Sequence, residues 1–150
     1  MNKISILVIS ICLISFSRSQ QEQYYGIEEC PGIDNSRYLQ SMSLTLNRTP
    51  TQGIPTIGTL TTTPKKSYYV SYTKVEVFLK GFKVYEGKTE TDKSYKGGVT
   101  EVEEINMDTQ LAPTGLFTIK TTAINEFGDV ILCFSIWMQI QKKVSLPLIV

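Results

Sequence analysis

The stretch "GDVILCFSIWMQIQ", Gly128 to Gln141, decides the fold. Phe134, Ile136, Met138 and Ile140 share one parity, and Ser135, Trp137 and Gln139 share the other. Successive side chains of a strand leave opposite faces, so this alternation predicts a half-buried strand with Trp137 on its outer side. The strand carries Cys133 at its head. Its apolar face needs something to cover, either a packed core or a cargo.

Working outward, "NEFGD" (Asn125 to Asp129) predicts the hairpin turn into this strand. Before it, "APTGLFTIKTTAI" is a Pro-x-Gly turn and then a strand with Phe117, Ile119 and Ala123 on one side. Tyr38, Met42, Leu44 and Leu46 alternate, and "TIGTLTTT" (Thr56 to Thr63) is a threonine-rich strand between Pro55 and Pro64. "KGGVTEVEEINM" (Lys96 to Met107) starts at a glycine turn and alternates from Val99. The stretch "SYYVSYTKVEVFLKGFKVY" (Ser67 to Tyr85) slips parity twice. Tyr68, Val70 and Tyr72 are even, Val75, Val77 and Leu79 odd, and Phe82 and Val84 even again. Of the two readings, a pair of tightly joined strands or one strand with irregularities, the second is favoured, with a bulge near Thr73 and another at Gly81. No segment reads as a long helix. Short alternating strands punctuated by turns predict an all-β sandwich.

The N-terminus, "MNKISILVISICLISFSRSQ", has the three-part pattern of a secretory signal peptide. Lys3 supplies charge, Ile4 to Phe16 an apolar run, and Ser17 and Ser19 small residues before a cut at Gln20. Residues 1–19 are therefore set apart from a domain over 20–150. Without Lys3 and Arg18, 13 of the 15 basic residues remain against 14 acidic ones, a net charge of −1. Without Cys12, two of the three cysteines remain, Cys30 and Cys133. In an exported chain such a pair is expected to bond, closing a loop worth roughly 4–5 kcal/mol in the chain-entropy model. The near-zero charge gives no support for nucleic-acid binding. Lysines are nevertheless concentrated between Lys65 and Lys96, as a solvated mixed surface or a face for anionic lipid head groups. The tail "VSLPLIV" is too short to span a membrane.

The chain contains no histidine. That removes Ser-His-Asp and Cys-His nucleophiles and His-ligated zinc, so no catalytic residue, metal or cofactor is expected. Glu101, Glu103 and Glu104 read as the wet face of a strand, and Gly97-Gly98 lacks the ending of a phosphate loop. "Asn47-Arg48-Thr49" is a glycosylation sequon, followed by Pro50. What remains is an apolar inventory of Phe78, Phe82, Val84, Phe117, Ile119, Phe134, Ile136 and Met138. Periodicity does not distinguish a filled core from a hollow one.

The order of these motifs resembles the ML (lipid-recognition) domain family, which includes the Niemann–Pick type C sterol carrier and the phosphatidylglycerol/phosphatidylinositol transfer protein branch. "IEECPGID" resembles the family's opening segment, where a cysteine precedes the first strand. "LAPTGLFTIKTTAINEFGDVILCFSI" resembles its closing hairpin. "VEVFLKGFKVYEG" and "KGGVTEVEEINM" sit where the transfer-protein branch has its central strand and the one after. The match in order covers residues 25–143. Only the outer cysteine pair is matched; two further disulfides common in the family have other residues here.

The resemblance implies an immunoglobulin-like sandwich of about seven antiparallel strands with a cavity between its two sheets. It implies a secreted or endosomal/lysosomal lumenal protein, a monomer, that binds and transfers a phospholipid or sterol and touches membrane surfaces transiently. The eight apolar residues above would then line the lipid site, with Phe82 and Val84 at its entrance beside Gly81. The alternative is a non-lipid adhesion or receptor-contact module with a filled core.

Overall fold

The computed structural model describes residues 23–109 and 112–145. The expected signal peptide (1–19) and the last five residues of the tail (146–150) lie outside them. Within the described residues eight strands follow one another: β1 (Tyr25–Glu29), β2 (Leu39–Leu46), β3 (Thr56–Pro64), β4 (Tyr68–Leu79), β5 (Phe82–Tyr95), β6 (Glu101–Met107), β7 (Gly115–Ile124) and β8 (Val130–Ile140). Among the described residues the only helical element is a 3-10 turn at Asn35–Arg37. A five-stranded sheet, β1-β8-β7-β4-β5, lies over a three-stranded one, β2-β3-β6, and the strands within each sheet pair antiparallel. The architecture is the expected immunoglobulin-like sandwich, with one strand more than expected.

The extra strand comes from the stretch Ser67 to Tyr85, where the sequence favoured one irregular strand. Lys80 and Gly81 both have positive φ, 48° and 83°. A two-residue turn of that kind matches the twist of the strands it joins, and glycine adopts it without a Cβ clash. Gly81 is thus a reversal of the chain. The break near Thr73 is real, but its extra residue lies on β5. Val70 faces Lys93 and Tyr72 faces Glu90, and Asp92 takes φ 47°. The lower half of β5, "KTETDKSY", pairs as an edge strand although its sequence is almost wholly polar.

β8 behaves as its alternation predicts. Phe134, Ile136, Met138 and Ile140 are buried and pack with Leu46, Leu60 and Met107 of the smaller sheet. A second buried group joins Leu39, Tyr68, Val70, Ala123, Ile131 and Leu132 at the far end. Trp137 leaves on the outer face, where Gly26 of β1 lies directly opposite in register. The indole occupies the space a Cβ at position 26 would need, 2.8 Å from its Nε1.

Cys30 and Cys133 are bonded, across 103 residues of chain. Cys30 follows β1, where the resemblance implied a cysteine ahead of the first strand. Past that point Asn35, 1% exposed, takes over the edge of β8. Its Nδ2 donates to the Cys133 carbonyl at 2.8 Å, and the Cys133 N–H donates to its Oδ1 at 2.9 Å. A side-chain amide here imitates a strand.

Candidate functional site: the space between the sheets

Five strands face three, so part of the larger sheet's inner face has nothing opposite it. Three inward rungs cross β8, β7, β4 and β5. They are Phe134–Thr121–Val75–Gly87, Ile136–Ile119–Val77–Tyr85 and Met138–Phe117–Leu79–Phe82. Along each rung cover fades from β8 to β5. Met138 is 1% exposed. Phe117 and Ile119 are half-buried against the packed core, while Val75, Val77 and Leu79, also half-buried, lie outside it. At the edge, Tyr85 is 58% and Phe82 78% exposed. An apolar inner surface therefore runs out to an open side between β5 and β6.

Above Thr73 this surface leads into a pocket of about 220 Å³ that lies between the sheets and opens to solvent. Leu60 and Thr62 of β3 form one wall; Val70, Thr73, Thr121, Ala123, Leu132 and Phe134 form the other. Tyr68 and Tyr95 close its end, stacked with ring centroids 4.9 Å apart. Burial raises the pKa of both hydroxyls, with Glu103 adding to the effect.

The rim of the pocket is ionic. Lys93 of β5 lies 3.2 Å from Glu101 and 3.2 Å from Glu103, both on β6. These contacts join the free edges of the two sheets. Partial burial works against the Lys93 ammonium, but hydrogen bonds to Glu103 and Glu101 outweigh it and raise its pKa. Its Nζ also sits 4.6 Å from the centre of the Tyr95 ring.

The structure divides the eight sequence-predicted residues. Phe134, Ile136 and Met138 face inward into packed side chains, Phe134 also forming part of the pocket wall, while Phe117 and Ile119 stand where that packing thins. Phe82 ends the outermost inward rung, and Val84 is the extra residue of a bulge between the Val77–Tyr85 and Phe78–Lys83 pairs. Phe78 is a correction. It shares a rung with Thr118 and Trp137 on the outer face, because β4 after Thr73 points its odd residues inward. The sequence reading missed Val75, Val77 and Leu79, although their shared odd parity was available. It also missed Tyr85 and the rim residues Lys93 and Glu103. Asn47 is exposed at the end of β2, with its Oδ1 accepting from the Ile57 N–H at 3.0 Å.

The outer face of the larger sheet is charged rather than hollow. Glu76, buried, lies 3.3 Å from Lys83, 3.5 Å from Lys120 and 3.7 Å from Lys74. Desolvation would raise its carboxyl, yet Lys83, Lys120 and Lys74 overcome that and lower it. Among the described residues no three His, Cys, Asp or Glu side chains converge as a metal site.

No family model and no curated protein sequence matches this chain. Solved structures do resemble it. Chicken MD-1, complexed with lipid IVa, superposes with a TM-score of 0.52 at 16% identity, over 79% of this chain and 92% of that one. A Niemann–Pick type C2 protein from the Japanese carpenter ant gives a TM-score of 0.49 at 13% identity, over 77% and 98% of the two chains. The likeness to MD-1, at that identity, is one of fold.

Proposed function

We propose that this chain is an exported lipid-binding protein that holds an acyl or sterol tail between its sheets and passes it between membranes. The observation that carries this reading is the incompletely covered apolar inner face of β4 and β5, continuous with a pocket between the sheets. Burying hydrocarbon there contributes about 0.8 kcal/mol per methylene, so binding needs no polar apparatus. The fold it shares with MD-1, a protein crystallised with a lipid, supports the reading. At about 220 Å³ the pocket falls short of the roughly 300–1,000 Å³ typical of ligand cavities. A tail must therefore extend from it along Val75, Val77 and Leu79 towards Phe82. The protein acts by binding, not by catalysis.

The test compares two tryptophans. Val77→Trp places its ring on the open inner surface and should leave the fold stable while reducing affinity for a fluorescent fatty-acyl probe at least tenfold, about 1.4 kcal/mol. Ile136→Trp enters the packed core and should cost about 1–3 kcal/mol of stability. An organic extract of the purified protein should also contain lipid by mass spectrometry. A lipid-free extract with no probe binding would instead favour an adhesion or receptor-contact module.

A further inference from the structure

The β4–β5 hairpin ends in an apolar knuckle. Phe82 is 78% exposed, and Val84 and Tyr85 are each 58% exposed. Leu116 of β7 is exposed near the same turn but on the sheet's outer face, its carbonyl accepting from the Lys80 N–H at 2.8 Å. Adjacent exposed apolar groups of this size mark an interaction surface. Their setting is basic. From Lys74 to Lys88 the hairpin carries four lysines (74, 80, 83, 88) against Glu76 and Glu86, a net charge of +2. Lys80, at the turn itself, forms no ion pair among the described residues. β6, which faces the hairpin's strand across the open side, is acidic with Glu101, Glu103 and Glu104.

We propose that this hairpin tip docks the protein on anionic membranes, with Phe82 and Val84 in the headgroup–acyl boundary and Lys80 among lipid phosphates. The inference rests on the lipid-carrier reading and adds the element that meets the bilayer. Apolar side chains on a basic element are the chemistry that partitions into an anionic interface. Continuity supports the same occupant. Phe82 and Leu79 form the last inward rung of the open apolar surface. Docking at the tip sets the end of that surface against the membrane, so a tail can move between them without crossing water.

The experiment is co-sedimentation of the purified protein with phosphatidylcholine vesicles, with and without phosphatidylglycerol. The unaltered protein should bind the anionic vesicles and release as salt is raised. Phe82→Asp should weaken vesicle binding about tenfold or more. Lys80→Glu should weaken it several-fold, more on anionic than on neutral vesicles, while keeping its affinity for the acyl probe in solution. Phe127→Asp, at the opposite end, should bind vesicles as the unaltered protein does. Equal vesicle binding by the unaltered, Phe82→Asp and Lys80→Glu proteins would overturn the proposal, as would no vesicle binding at all. So would a concentration-dependent dimer, seen by light scattering, that Phe82→Asp abolishes; the tip would then pair with a second copy. An unaltered protein that takes up the probe but ignores vesicles defeats the docking alone. One that binds neither defeats the carrier reading as well.

Discussion

Asn35 does the work of a missing strand residue. β1 stops at Glu29, and the amide of Asn35 supplies the donor and acceptor that a longer β1 would have offered to Cys133. The Cys133 carbonyl also receives the Cys30 N–H at 3.1 Å, so its need is met twice. The Cys133 N–H has Asn35 as its partner. Asn35→Ala should leave that donor buried and unsatisfied, at a cost of about 1–3 kcal/mol. Asn35→Asp keeps an acceptor but buries a carboxylate, and should destabilise at least as much. Urea midpoints of the oxidised proteins check this; an unchanged midpoint for Asn35→Ala would mean that water takes over the bond.

Among the elements, the Lys80–Gly81 turn is the one whose reading changed the topology. With Gly81 at φ 83°, Gly81→Ala should cost about 1–2 kcal/mol, the ordinary penalty for a Cβ in the left-handed region. Lys80→Asn restores the residue pair that such turns favour and should raise stability by a few tenths of a kcal/mol. Thermal denaturation of both variants tests the sign of each change. The strand β8 and its hairpin from β7 were legible in the sequence, since alternation, Pro-x-Gly and the polar turn all agree there. The β4–β5 hairpin was not, because "FLKGFKVY" carries apolar residues straight across the reversal and hides it. Phe78 was grouped with the lining residues although the odd parity of Val75, Val77 and Leu79 puts it on the outer face. The polar half of β5 was illegible because an edge strand beside an open cleft has little apolar surface to bury. Of the candidate site, the β7 and β8 residues could be read from parity. Lys93, Glu101 and Glu103 meet only when two sheets are brought together, which no local pattern encodes.

Over the whole molecule, the two long sides of the sandwich are fastened differently. On the β1 side a disulfide and Asn35 tie the opening segment to β8. On the other side the sheet edges meet through Lys93 and its two glutamates. Exposed ion pairs contribute about 0–1 kcal/mol each, so this side is the weaker fastening. The inner face that remains only partly covered there also leaves a calorimetric mark. The heat-capacity increment of unfolding measures apolar surface newly wetted, ordinarily about 12–15 cal/mol/K per residue. A face already partly wet in the folded state adds less to it. The delipidated protein should therefore unfold with an increment below that range, and the lipid-loaded protein with a larger one. Titration with lipid should show the complementary negative increment on binding. An ordinary increment in the delipidated protein would mean that the sheets close over Val75, Val77 and Leu79 when no tail lies between them.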